Sequence, residues 1–166
     1  MDDVTSFARA AEDHLEDVLA YLVYLTRDRS LAEELTGDVF ERALRLWSRF
    51  DPRKGSAKTW LCQVARTTAL DHFRAEKRRL RRETTYVLSE PREGGEPFAE
   101  GLSPELDRAL AKLTPAEREV IALRVLLELD GPSTARVLAI SPTACSTRLS
   151  RALHRLEEEM RDAVAA

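Results

Sequence analysis

Residues 133–156 read STARVLAISPTACSTRLSRALHRL, and the fold turns on them. Leu138-Ala139-Ile140-Ser141 is a tight connection between a two-turn helix predicted at 133–139 and a longer one running from 142 to about 160. Ser141-Pro142 places a hydroxyl at the cap and proline at the first helical position of that second helix. Leu149, Leu153 and Leu156 are predicted to face a core. Thr143, Ser146, Thr147, Arg148, Arg151, His154 and Arg155 occupy the other sides, with base-edge donors early and phosphate-binding cations later. The spacing suits a helix-turn-helix whose second helix enters a DNA major groove. A plain helical hairpin with a basic outer face fits the same spacing.

Upstream, Ser103-Pro104 and Thr114-Pro115 repeat the same cap chemistry, and Glu117 completes a capping box with Thr114. Helices are predicted at 103–113 and 115–129. Residues 83–102 hold two prolines, three glycines and several glutamates, with only Tyr86, Val87, Leu88 and Phe98 as sizeable apolar groups. That composition reads as a flexible linker; an ordered loop packed on a neighbour is the other reading.

Before the linker, Phe7, Ala11, Leu15, Val18, Leu19, Leu22, Val23 and Leu25 recur at helical steps, and Thr26 to Arg29 is the exit. Ser30 with Glu33 reads as a capping box for a second helix, buried through Leu31, Leu35, Val39, Ala43, Leu46 and Trp47. Asp51-Pro52 is expected to stop it. A basic loop with Lys54 and Gly55 follows, and a third helix starts near Ser56 and runs through Trp60, Leu61, Val64, Ala65, Ala69, Leu70 and Phe73 into an arginine cluster. No stretch alternates with strand period. The expected fold is all-α: two small helical domains, 5–82 and 103–162, joined by the flexible linker 83–102, the second containing the helix-turn-helix.

The 166 residues carry a net charge of −3, which conceals a segregation. Residues 1–41 hold 11 acidic and 3 basic side chains, a balance of −8, while 42–82 hold 13 basic and 3 acidic, a balance of +10. Residues 83–107 return to −6, and 108–166 are near balance. The basic block ends in Arg74, Lys77, Arg78, Arg79, Arg81 and Arg82, a density that suits a polyanion. Flanking acidic segments are expected to mask it in the free protein. The length excludes a large catalytic barrel. No apolar run approaches a membrane span and the amino terminus lacks an export pattern, so a cytoplasmic location is expected. Cys62 and Cys145 are isolated and read as core residues. The glycines form no phosphate-binding loop, and His14, His72 and His154 lie on different helices, so no enzyme activity, metal or cofactor is expected.

The run Leu123 to Asp130-Gly131, then Ala135-Arg136-Val137-Leu138-Ala139-Ile140-Ser141 and Thr147-Arg148-Leu149-Ser150-Arg151-Ala152, resembles the carboxyl-terminal promoter-binding domain of extracytoplasmic-function (ECF) sigma factors. The first unit resembles their amino-terminal domain, through Leu31-Ala32-Glu33-Glu34-Leu35, Phe40, Ala43, Phe50-Asp51, Thr59-Trp60-Leu61, Val64-Ala65-Arg66 and Ala69-Leu70-Asp71-His72-Phe73-Arg74. The resemblance implies docking on core RNA polymerase through Glu33, Glu34, Asp38, Glu41 and Arg42. It also implies −10 promoter recognition and melting through the next loop and helix, where Lys54, Lys58, Trp60, Arg66, Thr67, Arg74, Lys77 and Arg78 are the candidates; the helical spacing of Trp60 favours a core role over base contact. The −35 element would be read by Thr143, Ser146, Thr147, Arg148, Arg151 and Arg155. A monomer when free and an anti-sigma partner are further implications.

The chain departs from the family pattern in several places. Gly37-Asp38 stands where glutamine commonly precedes the acidic residue, Thr67 where asparagine is common, Ala139 at the usual turn glycine and Ser146 at a usual lysine. The first helix of the DNA-binding pair reads three residues short. Two other functions fit the sequence: a helix-turn-helix regulator acting without polymerase, whose acidic helices would form a dimer surface, and a sigma mimic that only binds an anti-sigma protein.

Overall fold

Seven α-helices order the described residues, 3–83 and 95–166, in the computed structural model: α1 (Asp3–Thr26), α2 (Arg29–Leu46), α3 (Ala57–Glu83), α4 (Pro104–Lys112), α5 (Pro115–Ile121), α6 (Gly131–Leu138) and α7 (Pro142–Ala165). No strand occurs among them. A 3-10 turn, Trp47–Arg49, follows α2, and a π-helical turn, Ala122–Leu126, follows α5.

Local chemistry sets these boundaries. Arg27 adopts a left-handed backbone (φ 51°) that ends α1. Asp28, extended at φ −146°, then accepts a hydrogen bond from the Leu31 amide and caps α2. The predicted Ser30–Glu33 capping box is therefore corrected: Ser30 already lies inside the first turn, and Glu33 pairs with Arg29 instead. Nor does α2 run on to Asp51-Pro52; it tightens after Leu46 because Trp47 turns into an aromatic cluster. Ser56 acts where expected, its hydroxyl accepting from the Thr59 amide. Ser103, Thr114 and Ser141 all cap as predicted, and Thr114–Glu117 forms the full capping box.

Helices α1, α2 and α3 pack mutually, and α7 packs on α4, α5 and α6. Val18, Leu22, Val39, Leu61 and Ala65 fill the first bundle; Leu110, Leu123, Val137, Cys145 and Ala152 fill the second. Each fully buried Leu or Val is worth about 1.5–3 kcal/mol relative to exposure. The two bundles do not stand apart: α3 packs on α6, α1 touches the π turn, and one contiguous apolar cluster includes residues of both.

The reading of 83–102 as a flexible linker changes where it can be followed. Residues 84–94, Tyr86, Val87 and Leu88 among them, lie outside the described residues. The remainder is packed: Phe98 is 1% exposed, lies against Tyr24 at 5.1 Å between ring centroids, and is covered by the Arg27 guanidinium at 3.9 Å. Asp107 on α4 accepts from both the Phe98 amide and Arg27; the Glu96 amide donates to the Arg27 carbonyl, and Arg27 Nε donates to the Glu96 carbonyl in return. An apolar ring stacked beneath a guanidinium supplies burial and cation–π attraction together.

Candidate nucleic-acid and polymerase interface

The acidic face of α2 is built by exclusion. Ala32, Leu35, Thr36, Val39 and Ala43 take its buried side, leaving Glu33, Glu34, Asp38 and Glu41 exposed on the other and Arg42 at its margin. Glu33 and Glu41 are paired with Arg29 and Arg45 one turn away, and Arg42 reaches Asp71 on α3. Such exposed pairs contribute little stability, so the face is free to exchange them. A Cβ at Gly37 would meet nothing within 4 Å, so packing does not require that glycine.

Between α2 and α3, the loop around Asp51–Ser56 borders a cleft of about 200 Å³. Arg53 donates to the Asp51 carboxylate through both side chain and backbone and holds its pKa below the usual range. Trp47 and Phe50 stack at 4.7 Å, and Trp60 meets both at 5.6 and 5.7 Å. Trp60 is half-buried: it packs in this cluster and also lines the cleft with Phe50 and Lys54. The ring thus packs as core on one side and borders the cleft on the other.

The remaining −10 candidates separate. Lys54, Thr67, Arg74, Lys77 and Arg78 are exposed; the Thr67 hydroxyl donates back to the Gln63 carbonyl, and Arg74 lies 3.8 Å from Asp71. Lys58 turns toward Asp17 on α1, 3.8 Å away. Arg66 is withdrawn from solvent: its Nε donates to Glu119 of α5 at 2.7 Å, with Glu119 12% exposed. Burial is the largest single effect and opposes the Arg66 charge, but the Glu119 hydrogen bond, the Glu119 charge and Tyr21 together outweigh it and leave the guanidinium pKa raised. Within the described residues the carboxylate paired with Arg66 thus comes from the second bundle, not from the flanking acidic segments expected to mask it.

In the second bundle, Asp130 caps α6 by accepting from the Ser133 amide, so the helix begins at Gly131, two residues before its predicted start. Its eight residues make just over two turns. Ile140 donates to Ala135 and Ala139 to Arg136, closing a Schellman turn with Ala139 left-handed at φ 55°. Helix α7 then presents Thr143, Ser146, Thr147 and Arg151 to solvent, with Arg148 half-exposed beside them. Arg155 is engaged instead by the Lys112 carbonyl and Glu117. The predicted core stripe needs one correction: Leu149 and Leu156 pack inward, but Leu153 is 42% exposed, and Cys145 and Ala152 make the buried seam. The sequence reading also missed Glu119, Arg136, Arg27 and the anchoring role of Phe98; polar residues on ordinary amphipathic helices gave no local signal of partners in the other bundle.

This is an all-α protein with an aromatic-walled cationic cleft on the first bundle, bordered also by Arg136 of α6, which donates to the Lys54 carbonyl, and an exposed helix-turn-helix in the second. Residues 10–79 match Sigma-70 region 2 and residues 103–156 match Sigma-70, region 4. The chain belongs to the ECF RNA polymerase sigma factors of the sigma-70 family. It is 33% identical over 139 residues to the ECF RNA polymerase sigma factor SigC of Mycobacterium tuberculosis, covering 82% of this chain and 74% of that one. With the ECF RNA polymerase sigma factor BldN of Streptomyces coelicolor it shares 30% identity over 164 residues, 96% of this chain but 62% of the longer relative. The fold is similar to that of the sigma factor RpoE from Bartonella quintana, solved with the anti-sigma factor NepR (TM-score 0.78, 23% identity, covering 94% and 97% of the two chains). It is also similar to CnrH, solved with the cytosolic domain of CnrY (TM-score 0.68, 20% identity, 95% and 89%).

Proposed function

We propose that this chain is an alternative sigma factor that binds core RNA polymerase and directs it to a subset of promoters, without catalysing a reaction itself. The observation that carries this reading is the presence, in one chain and in sigma-factor order, of an exposed acidic helix face, an aromatic-walled cleft and a helix-turn-helix with a free polar first turn. Glu33, Glu34, Asp38, Glu41 and Arg42 form the polymerase-docking face. An unpaired base of the melted strand enters the cleft against Trp60 and Phe50, where stacking is worth about 1–3 kcal/mol per base. Lys54, Lys58, Arg66, Thr67, Arg74, Lys77 and Arg78 track the strand backbone and the adjoining duplex. Thr143, Ser146, Thr147, Arg148, Arg151 and Arg155 read the −35 element as duplex.

Region 2 occupies 5–82 and the region 4 unit 103–162. The protein is a monomer when free and has an anti-sigma protein as a further partner, and it acts in the cytoplasm, where the polymerase is; no helix among the described residues is long and apolar enough to cross a membrane. Reconstitution with purified core polymerase and genome-wide mapping of transcript starts tests the function. Discrete starts that depend on the chain are expected. A chain that binds promoter duplex but not core polymerase is a conventional regulator, and one that binds core but starts no transcripts is a mimic; either result overturns the proposal.

A further inference from the structure

We propose that Thr143 and Thr147 of α7 read thymine through its C5-methyl group, so that the duplex this helix selects carries thymines at the two positions they meet. The proposal rests on the reading of α7 as the −35 helix and names what that helix recognises. In a major groove, guanine is taken by the fork of an arginine or by a lysine, adenine by the carboxamide of asparagine or glutamine, cytosine by a carboxylate, and thymine by an apolar contact to its methyl. The sequence holds no asparagine and a single glutamine, Gln63, which lies on α3. From Pro142 to Leu156 there is also no lysine and no acidic side chain. Bidentate recognition of adenine is therefore closed to this stretch of α7, which can read an A·T pair from the thymine side.

The placement of side chains round α7 agrees. Cys145, Leu149, Ala152 and Leu156 face the core. At about 100° per residue, Thr143 and Thr147 bracket a line about 170° from the middle of that seam, and both are exposed. They form a crest, one turn apart, about 5.4 Å along the axis or one to two base-pair steps of about 3.4 Å. The guanidiniums stand aside. Arg151 lies about 60° and Arg148 about 120° round from that crest, where both border a cleft of about 440 Å³ against Thr114 and Glu117. Cations so placed suit the phosphate walls of a groove, and the crest suits the base edges on its floor. His154, further along, is drawn to Glu158 at 3.3 Å, and Arg155 to the Lys112 carbonyl. A threonine hydroxyl both gives and takes a hydrogen bond and so accommodates any base edge, whereas its methyl finds a matching apolar partner on thymine. Methyl contact is therefore what lets these two residues tell bases apart.

The test offers a duplex library, randomised across the −35 region, to the full-length chain alone and to the same chain reconstituted with core polymerase. Each thymine of the preferred duplex is then replaced in turn by deoxyuridine, which keeps every hydrogen-bonding group and lacks only the methyl. At two positions the replacement should weaken binding about fourfold in a gel shift, the loss expected for one methyl withdrawn from contact. Thr143→Ser and Thr147→Ser keep the hydroxyl and should each make the chain indifferent to deoxyuridine at one of those positions. Thr147→Val keeps the methyl, loses the hydroxyl and should retain the discrimination. Both residues are exposed, so these changes spare the core, which circular dichroism checks. The proposal is overturned if neither preparation selects a preferred duplex, or if the preferred duplex is insensitive to deoxyuridine. Discrimination that survives in the serine variants, or vanishes in the valine variant, overturns it too. Transcript starts from core polymerase are scored separately: methyl-dependent duplex selection without starts would sink the sigma-factor reading and leave thymine recognition standing.

Discussion

Tyr21 on α1 and Glu119 on α5 lie 98 positions apart in sequence and are joined by a 2.6 Å hydrogen bond, the phenol donating to the carboxylate. Tyr21 is fully buried, and burial, then the Glu119 charge, push its pKa well above the ordinary value. The neighbouring Tyr24 hydroxyl is also buried but has no hydrogen-bond partner among the described residues. The two tyrosines should thus respond oppositely to removal of the hydroxyl. Tyr21→Phe should cost about 1.5 kcal/mol by stripping a charged acceptor of its donor, and Tyr24→Phe should be neutral or stabilise by up to about 1 kcal/mol by removing an unpaired buried group. Urea denaturation of the two variants measures the contrast.

Left-handed backbone at residues with a side chain marks two further positions. Glu128 and Ala139 both sit at φ 55°, a conformation that costs roughly 1 kcal/mol for a residue with a Cβ relative to glycine. Glu128→Gly and Ala139→Gly should each raise stability by about that amount, additively, in thermal or urea unfolding. Destabilisation by either would mean that the unfolded-state entropy of glycine outweighs the relieved strain.

Phe98 should behave as a core residue despite its place in a glutamate- and glycine-rich segment. Phe98→Ala should cost about 3 kcal/mol and open residues 95–102 to limited proteolysis, because the ring is what Tyr24 and Arg27 enclose. Wild-type protease resistance in this variant would contradict that account.

Alkali should weaken the fold from a defined direction. Burial pushes the Cys62 thiol up to about 12 and raises Tyr21 and Tyr24 as well. Folding thus favours the neutral forms, so their contribution is present below the ordinary thiol value and is lost as pH climbs toward the folded one. The urea midpoint should decline between about pH 9 and 12, and Cys62→Ala should flatten the early part of that decline.

On the proposed −35 helix, Arg148→Glu with Arg151→Glu should weaken promoter-duplex binding by at least tenfold, since each phosphate contact adds to a salt-dependent electrostatic term. Core-polymerase association should be unchanged, because α2 carries that face. Gel-shift and pull-down assays on the same preparation read the two effects, and a joint loss would show that the domain roles are misassigned.

Much of the fold was legible because helix starts are written locally. Ser103, Thr114 and Ser141 each announce a helix within four residues, and proline at the next position leaves little choice. Asp28 and Asp130 cap just as well, but Ser30 and Ser133 offer competing starts two and three residues later. The π turn at Ala122–Leu126 has no turn residue to mark it. Exposed site residues on α2 and α7 followed from amphipathic spacing, whereas the fate of Arg66 and the placement of Arg136 did not: each is fixed by a partner in the other bundle, and periodicity within one helix reports only that a side chain faces outward.

Helix α3 spans 27 residues, about 40 Å of rod, and its far end carries Arg74, Lys77, Arg78, Arg81 and Arg82 exposed to solvent. A molecule that is a weak anion in total is therefore a strong permanent dipole. Approaching a charged polymer it will be turned before it touches, basic end first, and its encounter rate will fall with ionic strength far more steeply than a charge of −3 could ever suggest.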